Sequence, residues 1–405
     1  MKLFLHIGTE KTGSTTIQEA LFVNKECLQK QGFYFVQSAG KKNNRKIPAY
    51  CMRDDKYDGF FKAQRITTLH QKNIFRKEFF DSFKAEIMNL PKHVHTVIIS
   101  SEHFHSRTTT IEEVENVKSL LGSFFEDIKI ICYVREQSAT AVSSYSTAIK
   151  SGGTPSLKEI LSKCKPGNIY YNYYLMLSNW RNIFGADNLI VRKFDKSILK
   201  NNDLIDDFFC LIDDVLIKSI SKDISLKNES LNMIGQFLGR SVNQAIPIYY
   251  DTGLLNPIRD QAISKICQSF NGRGQTCNKN DYDKIYTSFE ASNIKLNEEF
   301  LGGLEGVNCF DRNPPQEAYD KTFLEESDIP KLADVFKVFS SNSLGLPHHY
   351  ADFFRDLATS LEKTDLVSAH KLMELAHLLK PNAPHIKRKL NEYNKKLKLG
   401  QDTND

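Results

Sequence analysis

Short unbroken apolar runs alternate with stretches of helical period through the first half of the chain. Leu3-Phe4-Leu5-His6-Ile7, Thr96-Val97-Ile98-Ile99-Ser100, Ile128 to Val134 and Leu189-Ile190-Val191 read as buried strands of the parallel-sheet kind. Helical runs follow them, as at Thr15 to Val23 and at Ala139, Val142, Tyr145 and Ile149. Strand-to-helix units therefore recur at 3–23, 94–122, 127–150 and 188–217. This alternation predicts an α/β fold with a parallel sheet flanked by helices on both faces. Between the first two units, residues 38–93 read as an irregular insertion, a candidate acceptor site, with basic and aromatic positions: Lys41, Lys42, Arg45, Lys46, Tyr50, Tyr57, Phe60 and Phe61. An amphipathic helical insertion is the alternative reading there. After about residue 315 the strand signal stops. Residues 330–341, 347–362, 364–379 and 382–397 read as amphipathic helices. The expected organisation is an α/β domain over 1–315 and a helical region over 316–405.

The turn after the first strand carries the chemistry. It reads Gly8-Thr9-Glu10-Lys11-Thr12-Gly13-Ser14-Thr15-Thr16. A strand running through a glycine-bearing turn into a helix aims backbone N–H groups at one spot, which suits phosphate or sulfate. Gly8 and Gly13 are spaced as in a Walker A loop, but Ser14 stands where the Walker lysine should follow. The lysine of this loop is Lys11, ahead of Gly13. A plain strand-to-helix turn with a capping serine is the alternative.

Lys11-Thr12-Gly13-Ser14-Thr15-Thr16 resembles the 5′-phosphosulfate loop of the PAPS-dependent sulfotransferases, written Pro-Lys-x-Gly-Thr-Thr. The chain departs from it at Glu10, where proline is usual, and at Ser14, where threonine is usual. A second segment strengthens the resemblance. Arg135 ends the strand 127–134, and Ser143 follows eight residues later in a helical run. In that family an arginine and a serine so placed hold the 3′-phosphate of PAPS. A guanidinium is a forked, always-charged donor, and the hydroxyl adds a neutral one. Tyr170 to Lys196 is similar to the helix, Trp, Phe-Gly turn, strand and Phe-Asp ending of the bacterial and Golgi-type carbohydrate sulfotransferases. Trp180 and Phe184 fall at helical spacing and read as core. Asp195 reads as structural, a candidate for fixing the phosphate loop. Ser292-Asn293 to Phe310 resembles the ending of the same branch. The resemblance covers about residues 1–312 and implies a P-loop-type sheet.

Composition narrows the picture without changing it. The formal charge of +5 over 405 residues does not indicate nucleic-acid binding. The eight cysteines are scattered without a Cys-x-x-Cys pair, so no zinc site is expected. No apolar run is long enough to cross a membrane, and the first strand starts where a leader would be. The expectation is a cytoplasmic, bacterial enzyme. Ala369, Leu372, Leu375, Ala376 and Leu379, followed by Lys380-Pro381-Asn382, resemble the second half of a tetratricopeptide (TPR) unit. The C-terminal helices then read as a docking or self-association element, or as a packed cap.

The resemblance implies sulfuryl transfer from PAPS to a hydroxyl or amine of a carbohydrate or glycolipid, with PAP as product and no metal. Positioning and charge stabilisation would carry catalysis. Lys11 would stabilise the departing phosphate. The loop amides with Thr12, Gly13, Ser14, Thr15 and Thr16 would hold the 5′-phosphate, and Arg135 and Ser143 the 3′-phosphate. The general base is expected after the strand 96–100, as Glu102 with His103 close behind. If the strand continues, only one of these neighbours faces the site. His105 reads as a surface or supporting residue rather than a catalytic one. Two alternatives stay open: a P-loop small-molecule kinase, and a PAP-binding scaffold protein without catalysis.

Overall fold

The computed structural model describes residues 1–224, 230–250, 253–315, 348–362 and 366–401, with Asp328, Lys331, Leu332, Asp334, Val335 and Val338. Two compact units are present. The first joins Met1–Ser144, Lys158–Lys227 and Cys277–Gln316; the second joins Tyr145–Leu157, Asn228–Thr276 and Glu317–Asp405.

The first unit is an α/β fold around a five-stranded sheet. Its elements run β1 (Lys2–His6), α1 (Ser14–Val23), α2 (Lys25–Lys30), β2 (Phe33–Phe35), α3 (Lys46–Cys51), α4 (Gly59–Ala63), α5 (Leu69–Met88), β3 (Thr96–Ser100), α6 (His103–Arg107), α7 (Ile111–Gly122), β4 (Asp127–Val134) and α8 (Gln137–Lys150). After these come α9 (Leu157–Ser162), α10 (Tyr173–Phe184), β5 (Leu189–Lys193) and α11 (Leu204–Ile212). The strand order is β2-β3-β1-β4-β5. Every pairing is parallel, with His6 opposite Ser100 on β3 and Ile131 on β4. β1 is thus central, and the loop that leaves it emerges between the ends of β3 and β4.

The apolar strand runs bury both faces. Leu3, Leu5, Val97, Ile99, Ile130 and Cys132 point into one core with α3, α5, α7 and α10. Phe4, Ile98, Ile131 and Tyr133 point into the other, with Ile17 and Leu21 of α1 and Phe208 of α11. Residues one apart fall on opposite sides because the strand period is two. Local caps set the helix starts. Thr110 and Glu113 form a capping box on α7, and Thr68 and Gln71 form one on α5.

Residues 38–93 are largely helical rather than irregular, since α3, α4 and α5 occupy them. Their aromatic rings serve the core. Phe60, Phe61, Phe75, Phe79 and Phe83 form a continuous series of ring contacts, and Phe61 and Phe83 are fully buried. Trp180 is buried and stacked on Phe184, as its spacing predicts.

In the second unit, α12 (Met233–Ala245) and α13 (Pro257–Ser269) pack together, and the Leu231 N–H donates to Ser146 Oγ at the end of α8. Back in the first unit, α14 (Lys279–Leu296) lies beside α10. Three C-terminal helices, α15 (His348–Leu361), α16 (Leu366–Leu379) and α17 (Pro384–Gln401), match the expected segments. They share a core of Phe354, Ala358, Leu372, Met373, Ala376, Ile386 and Tyr393. The segment expected at 330–341 lies mostly outside the described residues.

Candidate active site

β1 does not stop cleanly at His6. The Ile7 and Thr9 N–H groups still donate to Ile131 and Tyr133 on β4, at 3.0 and 2.8 Å. The Gly8 carbonyl accepts from Tyr133 at 2.7 Å. The chain then turns left-handed at Lys11 (φ 70) and Gly13 (φ 77). Glycine suits position 13, because φ there is positive and a Cβ would sit 2.3 Å from Leu204 Cδ2 and 3.2 Å from the Phe194 ring. No side chain caps α1 at Gly13. Its first amides point back at the loop, which is a ready anion-binding arrangement. Ser14 is buried and Thr15 exposed, so the hydroxyls of this turn face different surroundings. The buried Thr12 hydroxyl donates to the Thr9 carbonyl at 2.7 Å, so only the Thr12 backbone is left to offer a ligand.

Arg135 reaches this loop from the end of β4. Its Nη1 donates to the Lys11 carbonyl at 3.3 Å, across 124 residues of sequence, and its guanidinium lies 5.8 Å from the Phe194 ring. Burial pulls this guanidinium below its ordinary range, opposed by Tyr173 and Glu136. Glu136 starts α8 by accepting from the Ser138 and Ala139 N–H groups, both at 2.8 Å. Ser143 is half-buried in the second turn of that helix. Asn293 pairs with Gln137 through a buried reciprocal amide contact and anchors the helix start.

The candidate bases stand on the other side of β1, where β3 ends. Gly8 packs tightly here, since a Cβ on it would lie 3.2 Å from Glu102 Cα. The strand does not continue. Glu102 is the N-cap of the one-turn α6, and His103 is its first residue. Strand alternation therefore does not separate them: His103 Nε2 lies 4.0 Å from Glu102 Oε1. Glu102 is held in place, with Oε2 accepting from Gln18 at 2.6 Å and Asn43 at 2.7 Å. Asn43 is in turn oriented by the Ser101 hydroxyl at 2.7 Å. Burial pulls the His103 imidazole down, Glu102 and Glu10 push it up, and Arg45 and Arg107 pull it down.

His105 stacks on Tyr170. It is buried, and its Nδ1 accepts from the Glu10 N–H at 3.2 Å. That leaves Nε2 to donate to the Tyr170 carbonyl at 2.7 Å, which is the neutral tautomer. Burial pulls the ring below its ordinary range, opposed by Glu10 and the bond to Tyr170. Asp195 does not fix the phosphate loop. It is exposed and accepts from the Ser197 N–H and hydroxyl instead. Phe194 beside it makes the loop contact through Gly13 and Arg135.

Five residues of this site carried no motif. Gln18 lies one helical turn after Ser14, so its position on the same face of α1 was the available signal. Asn43 and Tyr170 had none, Glu10 only its replacing a proline, and Arg45 only its place among the basic positions of 38–93. The Tyr170 hydroxyl donates to Glu10 Oε2 at 2.9 Å. Arg45 and Arg107 share the Asp58 carboxylate. Among the described residues no group of three His, Cys, Asp or Glu side chains is placed to hold a metal, and no helix is long and apolar enough to cross a membrane.

No family model matches the sequence. An uncharacterized protein of Archaeoglobus fulgidus is 28% identical over 150 residues, which are 37% of this chain and 39% of that protein. The chain thus matches about two fifths of that relative's length. A solved structure similar to this chain is a sulfotransferase from Alicyclobacillus acidocaldarius. The likeness covers 56% of this chain and 87% of that one, at 15% identity and a TM-score of 0.35.

Proposed function

We propose that the chain is a PAPS-dependent sulfotransferase acting on a hydroxyl or amine of a carbohydrate or glycolipid. The observation that carries this reading is the bond from Arg135 Nη1 to the Lys11 carbonyl. It brings the second cationic segment onto the first, at the mouth of an uncapped helix. A left-handed glycine, unspent helix amides and a forked cation fit a ligand with two separated phosphates.

PAPS supplies the activated sulfuryl group. Lys11 is the residue to meet charge developing on the 5′-phosphate, with the amides of Thr12 and Gly13 and the turn of Ser14, Thr15 and Thr16 holding that phosphate. Arg135 and Ser143 are assigned to the 3′-phosphate. The acceptor's proton goes to the Glu102–His103 pair. The Glu102 Cα packs against Gly8, so this residue and the phosphate loop share one wall. The C-terminal helices, which we read as a TPR-like region over 316–405, would serve a protein partner or self-association.

Calorimetric titration of the purified chain tests the reading, with PAP as ligand and ADP or ATP plus magnesium as controls. Selective, metal-independent PAP binding supports it and justifies an acceptor screen with labelled PAPS. ATP binding without PAP binding would move the chain to the small-molecule kinases.

A further inference from the structure

We infer that Glu10 is a positioning residue: its carboxylate holds the Nδ1–H edge of His103, so that Nε2 takes the proton of the acceptor hydroxyl. This rests on the sulfotransferase reading above, and it concerns the position where the resembling loop carries proline, which has no carboxylate to offer.

The geometry around one imidazole carries the inference. His103 Nδ1 is buried without a hydrogen-bond partner, and Glu10 Oε1 lies 3.9 Å from it. A buried unpaired ring nitrogen is costly, which favours pairing with the carboxylate beside it. The opposite nitrogen, Nε2, is 4.0 Å from Glu102 Oε1, and the side chain keeps 29% exposure. The ring thus has a buried edge against one carboxylate and a second edge at the candidate site.

Glu10 is itself immobilised for this task. Its Oε2 accepts from the Tyr170 hydroxyl, and its N–H is bound by His105. Oε1 is the Glu10 oxygen nearest His103. Burial alone would raise the Glu10 carboxyl. Its neighbours hold it below its ordinary range, so it is ionised at neutral pH. The charges facing His103 are Glu102, Arg45, Glu10 and Arg107. The two arginines oppose protonation of the ring, although Asp58 pairs with both. Glu10 and Glu102 are the counterweight. Glu102 has one oxygen already committed to two amide donors, which suits a fixed charge better than a mobile base.

The proton and electron balance is as follows. The acceptor O–H bond breaks and its proton goes to Nε2 of His103. The acceptor oxygen's electron pair forms the new S–O bond. The S–O bond to the 5′-phosphate breaks, and its pair stays on that phosphate beside Lys11. Glu10 remains ionised throughout and stabilises the imidazolium. A base oriented by a third group through its far nitrogen is a general device of proton-transfer sites.

The test uses the full chain with ¹⁵N-labelled histidine, His103 being assigned by the loss of its signals in His103→Gln. Long-range ¹H–¹⁵N spectra report tautomer and titration midpoint without any turnover. The expected results are an Nδ1–H tautomer for neutral His103 in the wild type and a lower midpoint in Glu10→Gln. In transfer assays Glu10→Gln should lose roughly ten- to hundredfold in kcat, with little change in KM for PAPS and with the acid limb of the pH profile moved to lower pH. Glu10→Asp should recover part of both effects. An Nε2–H tautomer in the wild type, or an unmoved midpoint in Glu10→Gln, overturns the inference. The wild-type tautomer decides even if Glu10→Gln does not fold. Failure of PAP binding with the tautomer and midpoint as expected would remove the sulfotransferase reading and leave the Glu10–His103 pair standing.

Discussion

The loop between β1 and α1 and the cluster formed by α15, α16 and α17 are held together in opposite ways. The C-terminal helices share an apolar core drawn from positions at helical spacing, such as Leu372, Met373 and Ala376. Their geometry follows from local period, with a few polar contacts such as Tyr393 and Lys389 to Glu362 added to the apolar core. The loop has left-handed residues at Gly8, Lys11 and Gly13 and is held by polar contacts from β4, α6 and the segment around Tyr170. A region built by repetition tolerates exchange among residues of one size. A region built by convergence depends on particular atoms, and that is where chemistry is placed.

Four expected outcomes would break or sharpen this contrast. The largest is in the helices. Leu372→Ala removes a fully buried side chain and should cost about 2–5 kcal/mol in that cluster. Hydrogen exchange should then quicken across α15, α16 and α17 while PAP titration is unchanged. Loss of PAP binding in this variant would show that the two regions are not independent.

Next come the two cations of the loop. Lys11→Ala should reduce transfer on the order of 10²–10³-fold, about 2.7–4 kcal/mol, with a modest change in PAP affinity. Arg135→Ala should weaken PAP binding itself, by about 1.5–3 kcal/mol, as expected for a charged hydrogen-bond donor. Equal losses of binding in both variants would mean that Lys11 only binds the ligand.

Gly13→Ala tests convergence directly. The left-handed backbone costs roughly 1–2 kcal/mol for a residue with Cβ. The added atom also meets Leu204 and Phe194. Stability should fall by that order in thermal melts, with PAP binding lost. An alanine tolerated without effect on either would mean that the turn is not held against α11.

The last effect is a slope with pH, small over any one pH unit. His6 is fully buried against Ser100 Oγ at 2.8 Å, and burial pulls its imidazole down to about 3. In the unfolded chain the ring takes a proton near 6.5. Between these values the unfolded state binds more protons. The contribution is therefore fully present above about 6.5 and is lost as pH falls towards 3, by up to about 1.4 kcal/mol per pH unit. His6→Asn should flatten that part of the denaturation profile. An unchanged slope would mean that other groups dominate acid unfolding.

Much of the fold was legible before the structure, because strands and helices report local period. The four apolar runs are β1, β3, β4 and β5, and the strand-to-helix units hold. β2 was missed because three residues flanked by loops carry little periodic signal. The aromatic residues of 38–93 looked like a binding surface, yet most are core, since period alone does not say which face is covered. The glycine turn and Arg135 were legible as well, because a left-handed turn and a strand-end cation each have their own residue chemistry.

What the sequence by itself determined is therefore the set of parts: the parallel strands, the glycine-bearing turn, the cations at strand ends and the C-terminal helices. Each is dictated by contacts between near neighbours in the chain. Only the tertiary structure decided which parts meet. The order β2-β3-β1-β4-β5 sets β1 between β3 and β4, and this alone brings Glu102 and Arg135 to the two sides of one loop. It also decided that Glu102 caps a helical turn, that Gln18 and Asn43 hold its carboxylate, and that Tyr170 grips Glu10 across 160 residues. Such pairings depend on closing long stretches of chain over a common core, and no local pattern encodes where those closures end.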